Sequence, residues 1–167
     1  GHALEDGHVV DEREHREAQV EAGFLRHVAE PATDLDPVVC VGVPKTVDND
    51  LPLTDCCPGF GSVAKYVATS IREAGYDVAS MARTSTKVFV LEVMGRHAGW
   101  ITAACGLAAE NSGEPPHILL FPEVPFDPER FVARVDACVR QYGYCTIAVS
   151  EGLSDASGKL IADSGSK

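Results

Sequence analysis

Lys87-Val88-Phe89-Val90-Leu91-Glu92-Val93, running on through Met94-Gly95-Arg96-His97-Ala98-Gly99 into Trp100-Ile101-Thr102-Ala103-Ala104-Cys105-Gly106-Leu107-Ala108-Ala109, decides the fold class. The first seven residues are rich in β-branched and aromatic side chains, the composition of a strand. From Ala98 to about Ala109 the chain is dominated by alanine, the best helix former, and it stops near Asn111 and Gly113. Between the two, a pair of glycines lets the backbone turn tightly and brings Arg96 beside the positive end of the coming helix. The stretch is a strand, a turn and a helix.

The same unit repeats on either side. Upstream, Val38-Val39-Cys40-Val41-Gly42-Val43 is a near-continuous apolar strand of the buried type, ended by Pro44. After a polar loop, Gly59 to about Met81 is predicted helical, with Phe60, Val63, Val67, Ile71 and Ala74 spaced onto one face and Gly75 a candidate interruption. Downstream come a strand at His117–Phe121, a helix at Pro128–Tyr142 with Asp127 as N-cap and proline in its first turn, and a strand at Cys145–Ser150. The order βαβαβαβ predicts an α/β fold, a parallel sheet with helices on both faces and right-handed crossovers. In such sheets ligands bind beyond the C-terminal ends of the strands. Three polar clusters fall at those ends: Lys45–Asp55, Met94–Trp100 and Glu151-Gly152.

The totals agree with one globular domain. A chain of 167 residues, 45% hydrophobic, can fill a core without disulfides or metal. No run approaches the ~20 apolar residues of a membrane span, and no basic-then-apolar stretch opens the chain, so a cytoplasmic protein with no membrane partner is expected. The six cysteines (Cys40, Cys56, Cys57, Cys105, Cys138, Cys145) match no zinc spacing and read as buried, reduced thiols. The net charge of −11, with no basic stripe, argues against nucleic acid as a partner. Small phosphate esters stay open, because a few cations and helix N-termini suffice for them. Residues 1–37 hold ten Asp/Glu, three Arg and four of the six His. They form an unassigned acidic segment in which 9–29 has good helix formers but too few apolar residues for a wide buried face. The α/β domain is expected to occupy 38–167.

Lys45-Thr46-Val47-Asp48-Asn49-Asp50 puts a cation, a hydroxyl and two carboxylates directly after a buried strand. Phosphoryl transfer needs that set: a carboxylate to accept the proton of an attacking hydroxyl, and cations to offset charge on the transferred oxygens. An Asx-turn, with Asp48 or Asn49 bonding its own backbone, is the competing explanation. The Met94–Trp100 turn offers an anion site at Arg96. Its structural alternative pairs Arg96 with Glu92 and buries Trp100, while His97, without a partner at metal spacing, is read as structural. Glu151 at the sheet rim can accept hydrogen bonds from sugar hydroxyls or pair with a neighbouring Lys or Arg. Gly59-Phe60-Gly61-Ser62 lacks the glycine spacing of a phosphate loop and reads as a helix start, with Lys65 solvated.

From Val41 to about Glu151 the chain resembles the phosphofructokinases, most closely the pyrophosphate-dependent branch. The motifs are PKTVDND (44–50), PGFGSVAKY (58–66), MGRHAGW (94–100), Pro122-Glu123 and SEG (150–152), all in the family's order. The resemblance implies that Asp48 accepts the proton of the fructose 6-phosphate 1-hydroxyl and that Lys45 stabilises the transferred phosphoryl group, a lysine there accompanying pyrophosphate use. It implies Thr46 and Val47 as further lining of the substrate loop, Met94, Gly95 and Arg96 on the sugar phosphate, and Glu151 on the sugar hydroxyls. Asp50 would support a Mg2+ region, and Lys87 falls where relatives place an arginine that reaches a neighbouring subunit's site, which implies a homodimer or homotetramer. The upstream Gly-Gly-Asp donor loop of the family has no counterpart in residues 1–37. The chain thus looks like the middle part of such an enzyme, incomplete at both ends. The expected activity is phosphoryl transfer from pyrophosphate to fructose 6-phosphate. An ATP-dependent 6-phosphofructokinase, and a catalytically silent fragment that keeps part of the sugar-phosphate site, are the alternatives.

Overall fold

A computed structural model of the chain describes residues 3–5, 8–10 and 45–162. The chain divides into two units, Gly1–Pro44 and Lys45–Lys167. In the first, β1 (Ala3–Glu5) and β2 (His8–Val10) pair antiparallel with Leu4 opposite Val9. The sequence pattern assigns no element to this acidic segment. The one sequence signal for this pair is the intervening Asp6-Gly7, a dipeptide favoured in two-residue hairpins. The strand expected at 38–43 and most of the 9–29 segment lie outside the described residues.

The second unit holds the repeated strand–helix pattern. Helix α1 (Phe60–Met81) is followed by β3 (Val88–Val93), α2 (Trp100–Cys105) with a 3-10 turn at Gly106–Ala108, β4 (Ile118–Leu120), α3 (Pro128–Tyr142) and β5 (Cys145–Ser150). The strands form a parallel sheet in the order β3-β5-β4. Val88 lies opposite Cys145, Val93 opposite Ser150, and Ile118 opposite Ile147. Among the described strands β5, the last in sequence, is therefore central, and five of its six residues are buried because helices cover both of its faces.

Helices cover both faces, as expected. On one, Val67 and Ile71 of α1 and Ile101, Ala104 and Cys105 of α2 pack with Val93 and Ala148. On the other, Phe131, Val135, Cys138 and Val139 of α3 meet Cys145, Ile147, Ile118 and Leu120. The alternation along β5 follows the strand period of two: 145 and 147 face α3, and 148 faces α1 and α2. Ile71 and Ile147 have no exposed surface, and each contributes about 1.5–3 kcal/mol by leaving water. Among the described residues only one side of β3 is covered. Leu91 and Val93 pack under α1 and α2, while Val88 and Val90 are 39% and 52% exposed.

The helix ends follow local chemistry. Asp127 Oδ1 accepts a hydrogen bond from the Arg130 N–H at 3.0 Å, Pro128 fills the first turn, and Gly143 closes α3 by donating to the Val139 carbonyl. In α1 the expected apolar face is buried at Val67 and Ile71 and extends to Val78, and Gly75 sits buried within the helix without interrupting it. Cys57, Cys105, Cys138 and Cys145 are buried free thiols, but Cys56 is exposed, so the all-buried expectation fails there. Among the described residues no helix is long and apolar enough to cross a membrane.

Candidate active site

The C-terminal ends of β3 and β5 carry two of the three expected clusters, and the loop leaving Lys45 supplies the third. Asn49 organises that loop. It is 7% exposed and has a φ of 60°, in the left-handed region that asparagine tolerates better than most residues. Its Oδ1 accepts from the Cys57 N–H at 2.8 Å and its Nδ2 donates to the Asp55 carbonyl at 3.4 Å. Thr46 Oγ1 accepts from the Asp48 N–H at 3.1 Å, and Val47 packs against the core under α1 and α2. A local turn and a chemically loaded loop thus coexist, because the turn bonds are made by Thr46 and Asn49 and leave the Asp48 carboxylate out of them.

Asp48 Oδ1 is buried without a hydrogen-bond partner among the described residues. Burial first, then the carboxylates of Asp50 and Glu151, pushes the Asp48 carboxyl above its ordinary value, while Lys45 and His97 pull it back. Those five groups therefore share one electrostatic field. A carboxylate raised in this way is a stronger proton acceptor than an exposed one.

The 94–99 turn and the 150–152 turn are joined. Ser150, 2% exposed, donates from Oγ to the Gly95 carbonyl at 2.7 Å and accepts from the Gly152 N–H at 3.0 Å. The Gly95 N–H donates to Glu151 Oε1 at 3.4 Å, and the Glu151 N–H to the Val93 carbonyl at 2.9 Å. Gly95 has a φ of +113°, and a Cβ placed on Gly152 would stand 1.8 Å from the Arg96 carbonyl oxygen. Both positions are closed to side chains. Glu123 Oε1 accepts from the Gly99 N–H at 2.7 Å and ties the start of α2 to the segment after β4.

The structure therefore brings Lys45, Thr46, Val47, Asp48, Asp50, Met94, Gly95, Arg96 and Glu151 into one unit, with Lys45, Asp50, Met94 and Arg96 exposed. Arg96 makes no ion pair or hydrogen bond with another described residue, and Trp100 is 55% exposed, so the structural alternative for that turn is not what forms. Glu151 takes the Gly95 N–H, not a Lys or Arg. His97 is exposed beside Asp48 and makes no hydrogen bond among the described residues. Lys87 precedes the other end of β3, seven residues before Met94 or roughly 23 Å away at about 3.3 Å per residue. Ser150, Gly152, Asn49 and Glu123 were not singled out as site residues. Their signals, the SEG and PE motifs and an Asn between two Asp, are too short to reveal what the side chains bond to.

Among the described residues no group of three or more His, Cys, Asp or Glu could hold a metal ion. Asp50, exposed on the same loop, is a single carboxylate of the kind that suits a hard cation whose shell is completed by phosphate oxygens and water.

Residues 12–167 match the family described as Phosphofructokinase. A pyrophosphate–fructose 6-phosphate 1-phosphotransferase from Methylococcus capsulatus is 63% identical over 131 residues, covering 78% of this chain and 31% of that protein. The crystal structure of a pyrophosphate-dependent phosphofructokinase from Marinobacter aquaeolei superposes with a TM-score of 0.68 at 69% identity, over 71% of this chain and 30% of the other. An ATP-dependent 6-phosphofructokinase 2 from Streptomyces coelicolor is 41% identical over 121 residues, covering 72% of this chain and 33% of that protein. The chain thus spans about a third of the length of these relatives.

Proposed function

The chain belongs to the phosphofructokinase family, and from that premise we propose that it forms the sugar-phosphate half of a site transferring a phosphoryl group from pyrophosphate to fructose 6-phosphate. The observation that carries this reading is Asp48: a buried carboxylate without a partner, raised by its surroundings, beside a fixed turn that presents Arg96 and Glu151.

In this mechanism Arg96, with Met94 and Gly95, receives the 6-phosphate, and Glu151 accepts hydrogen bonds from sugar hydroxyls. Asp48 removes the proton of the 1-hydroxyl as that oxygen bonds to the terminal phosphorus of the donor. The bridging P–O bond breaks, and inorganic phosphate leaves. Lys45 offsets charge on the transferred oxygens, and Thr46 and Val47 hold the loop that carries Asp48. Asp50 is the residue that would hold Mg2+, which when bound supplies further charge neutralisation at the donor phosphates. Pyrophosphate is preferred to ATP as donor. Lys45 fits it, and relatives named for pyrophosphate reach 63% and 69% identity, against 41% for a relative named for ATP. Lys87, remote from this cluster, would serve the site of a neighbouring copy in a homodimer or homotetramer.

The test is a coupled assay of fructose 1,6-bisphosphate formation with Mg2+ and either donor. It is run on the purified chain and, where its reading frame extends further, on the extended protein. Turnover with pyrophosphate and little with ATP is expected of the extended protein. Faster turnover with ATP would reassign the donor, and absence of both turnover and fructose 6-phosphate binding would end the proposal.

A further inference from the structure

We infer that Ser150 is a positioning residue that sets the spacing between the two ends of the sugar-phosphate site. The inference rests on the sugar-phosphate reading above. Its basis is that both backbone groups of one residue are held by side chains from the 150–152 turn. Gly95 is held on its carbonyl by Ser150 Oγ at 2.7 Å and on its N–H by Glu151 Oε1 at 3.4 Å. Ser150 also accepts from the Gly152 N–H at 3.0 Å, which seats Gly152 against the Arg96 carbonyl, with no room for a Cβ between them.

The Ser150 hydroxyl is 2% exposed with its residue, and it uses both its donor and one acceptor position in this clamp. Arg96 follows Gly95 directly, and Glu151 follows Ser150 directly. The hydroxyl therefore fixes the residue that meets the phosphate relative to the residue that meets the sugar hydroxyls. With one Glu151 oxygen engaged on Gly95, the other has a defined direction. A ligand that spans both ends gains from this rigidity, whereas a ligand that touches only the phosphate end does not.

The experiment follows from that difference. Trp100, the only tryptophan in the chain, is 55% exposed and stands four residues beyond Arg96, so its emission reports occupancy of the turn. The full chain is titrated with fructose 6-phosphate and, separately, with inorganic phosphate. Ser150→Ala is expected to weaken fructose 6-phosphate about tenfold, the effect of one lost buried hydrogen bond, and to leave inorganic phosphate within about twofold. Ser150→Thr, which keeps the hydroxyl, is expected to retain fructose 6-phosphate affinity within about threefold.

Equal weakening of both ligands, or no weakening of fructose 6-phosphate, in a Ser150→Ala protein that still melts cooperatively overturns the inference. Where the alanine variant does not fold, Ser150→Thr decides. Retained affinity supports the clamp, and lost affinity in a cooperatively melting protein overturns it. A wild-type chain that does not respond to fructose 6-phosphate overturns the sugar-phosphate reading and this inference with it. Wild-type binding with an indifferent alanine variant removes the inference alone.

Discussion

Asp48→Asn is expected to make the folded chain more stable while removing the chemistry it supports. The carboxylate has a buried oxygen without a partner among the described residues, and Asp50 and Glu151 add like charge to the penalty of burial. Its folded pKa lies above the ordinary value of 3.8. The sign follows: a group raised on folding contributes its full stability below the unfolded pKa, and that contribution is lost as pH rises through the folded value. At pH 8 the wild type carries the whole penalty and the amide does not. Because Asp48 is only partly buried, the difference is on the order of 1 kcal/mol, which raises the melting temperature by roughly 2–4 °C in a chain of this size. The assay is a thermal melt by far-UV circular dichroism from pH 3.5 to pH 8. The variant should lead at pH 8, and the gap should close towards acid. Turnover in the extended protein should fall by about 10²–10⁴, the usual worth of a positioned base. A variant that melts lower than wild type at pH 8, or a gap that does not change with pH, would refute the reasoning.

Three further outcomes are expected. Asn49→Ala leaves the Cys57 N–H and the Asp55 carbonyl without their partner and costs about 1–3 kcal/mol; a denaturant titration measures it, and the shift should exceed that of Asn111→Ala on the exposed surface. Asp127→Ala removes the α3 N-cap bond and costs about 1 kcal/mol by the same titration. Under native conditions a thiol reagent should label Cys56 first among the described cysteines. Cys57, Cys105, Cys138 and Cys145 are buried, burial pushes the Cys105 thiol up to about 11 and, with Cys138 beside it, the Cys145 thiol up to about 12; mass mapping of the labelled peptides checks the order.

Much of the second unit was legible because periodicity and capping agree there. The Asp127-Pro128 start and Gly143 end of α3 are written in local chemistry, and β5 shows as a short run rich in β-branched residues between the Gly143 and Gly152 turns. β1 and β2 were missed because three-residue strands among charged residues have no period to read. The structural alternative for the 94–100 turn buries Trp100, yet this residue starts a short helix whose buried side is supplied by Ile101, Thr102, Ala104 and Cys105. At the site, the residue types in PKTVDND and MGR could be read for chemistry. The bonds from Ser150 to Gly95 and from Glu123 to Gly99 span 55 and 24 residues, and no local pattern encodes contacts at that separation.

The central place of β5 also orders events during synthesis. Neither β3 nor β4 pairs with the other, so among the described strands the sheet cannot start until residues 145–150 have left the ribosome. Until then Phe89, Leu91 and Leu119 have no sheet partner among the described strands, and the Gly95 turn lacks its Ser150 clamp. The Gly95–Ser150 clamp thus forms only with the arrival of this strand, and a nascent chain paused before Cys145 exposes apolar surface that favours aggregation.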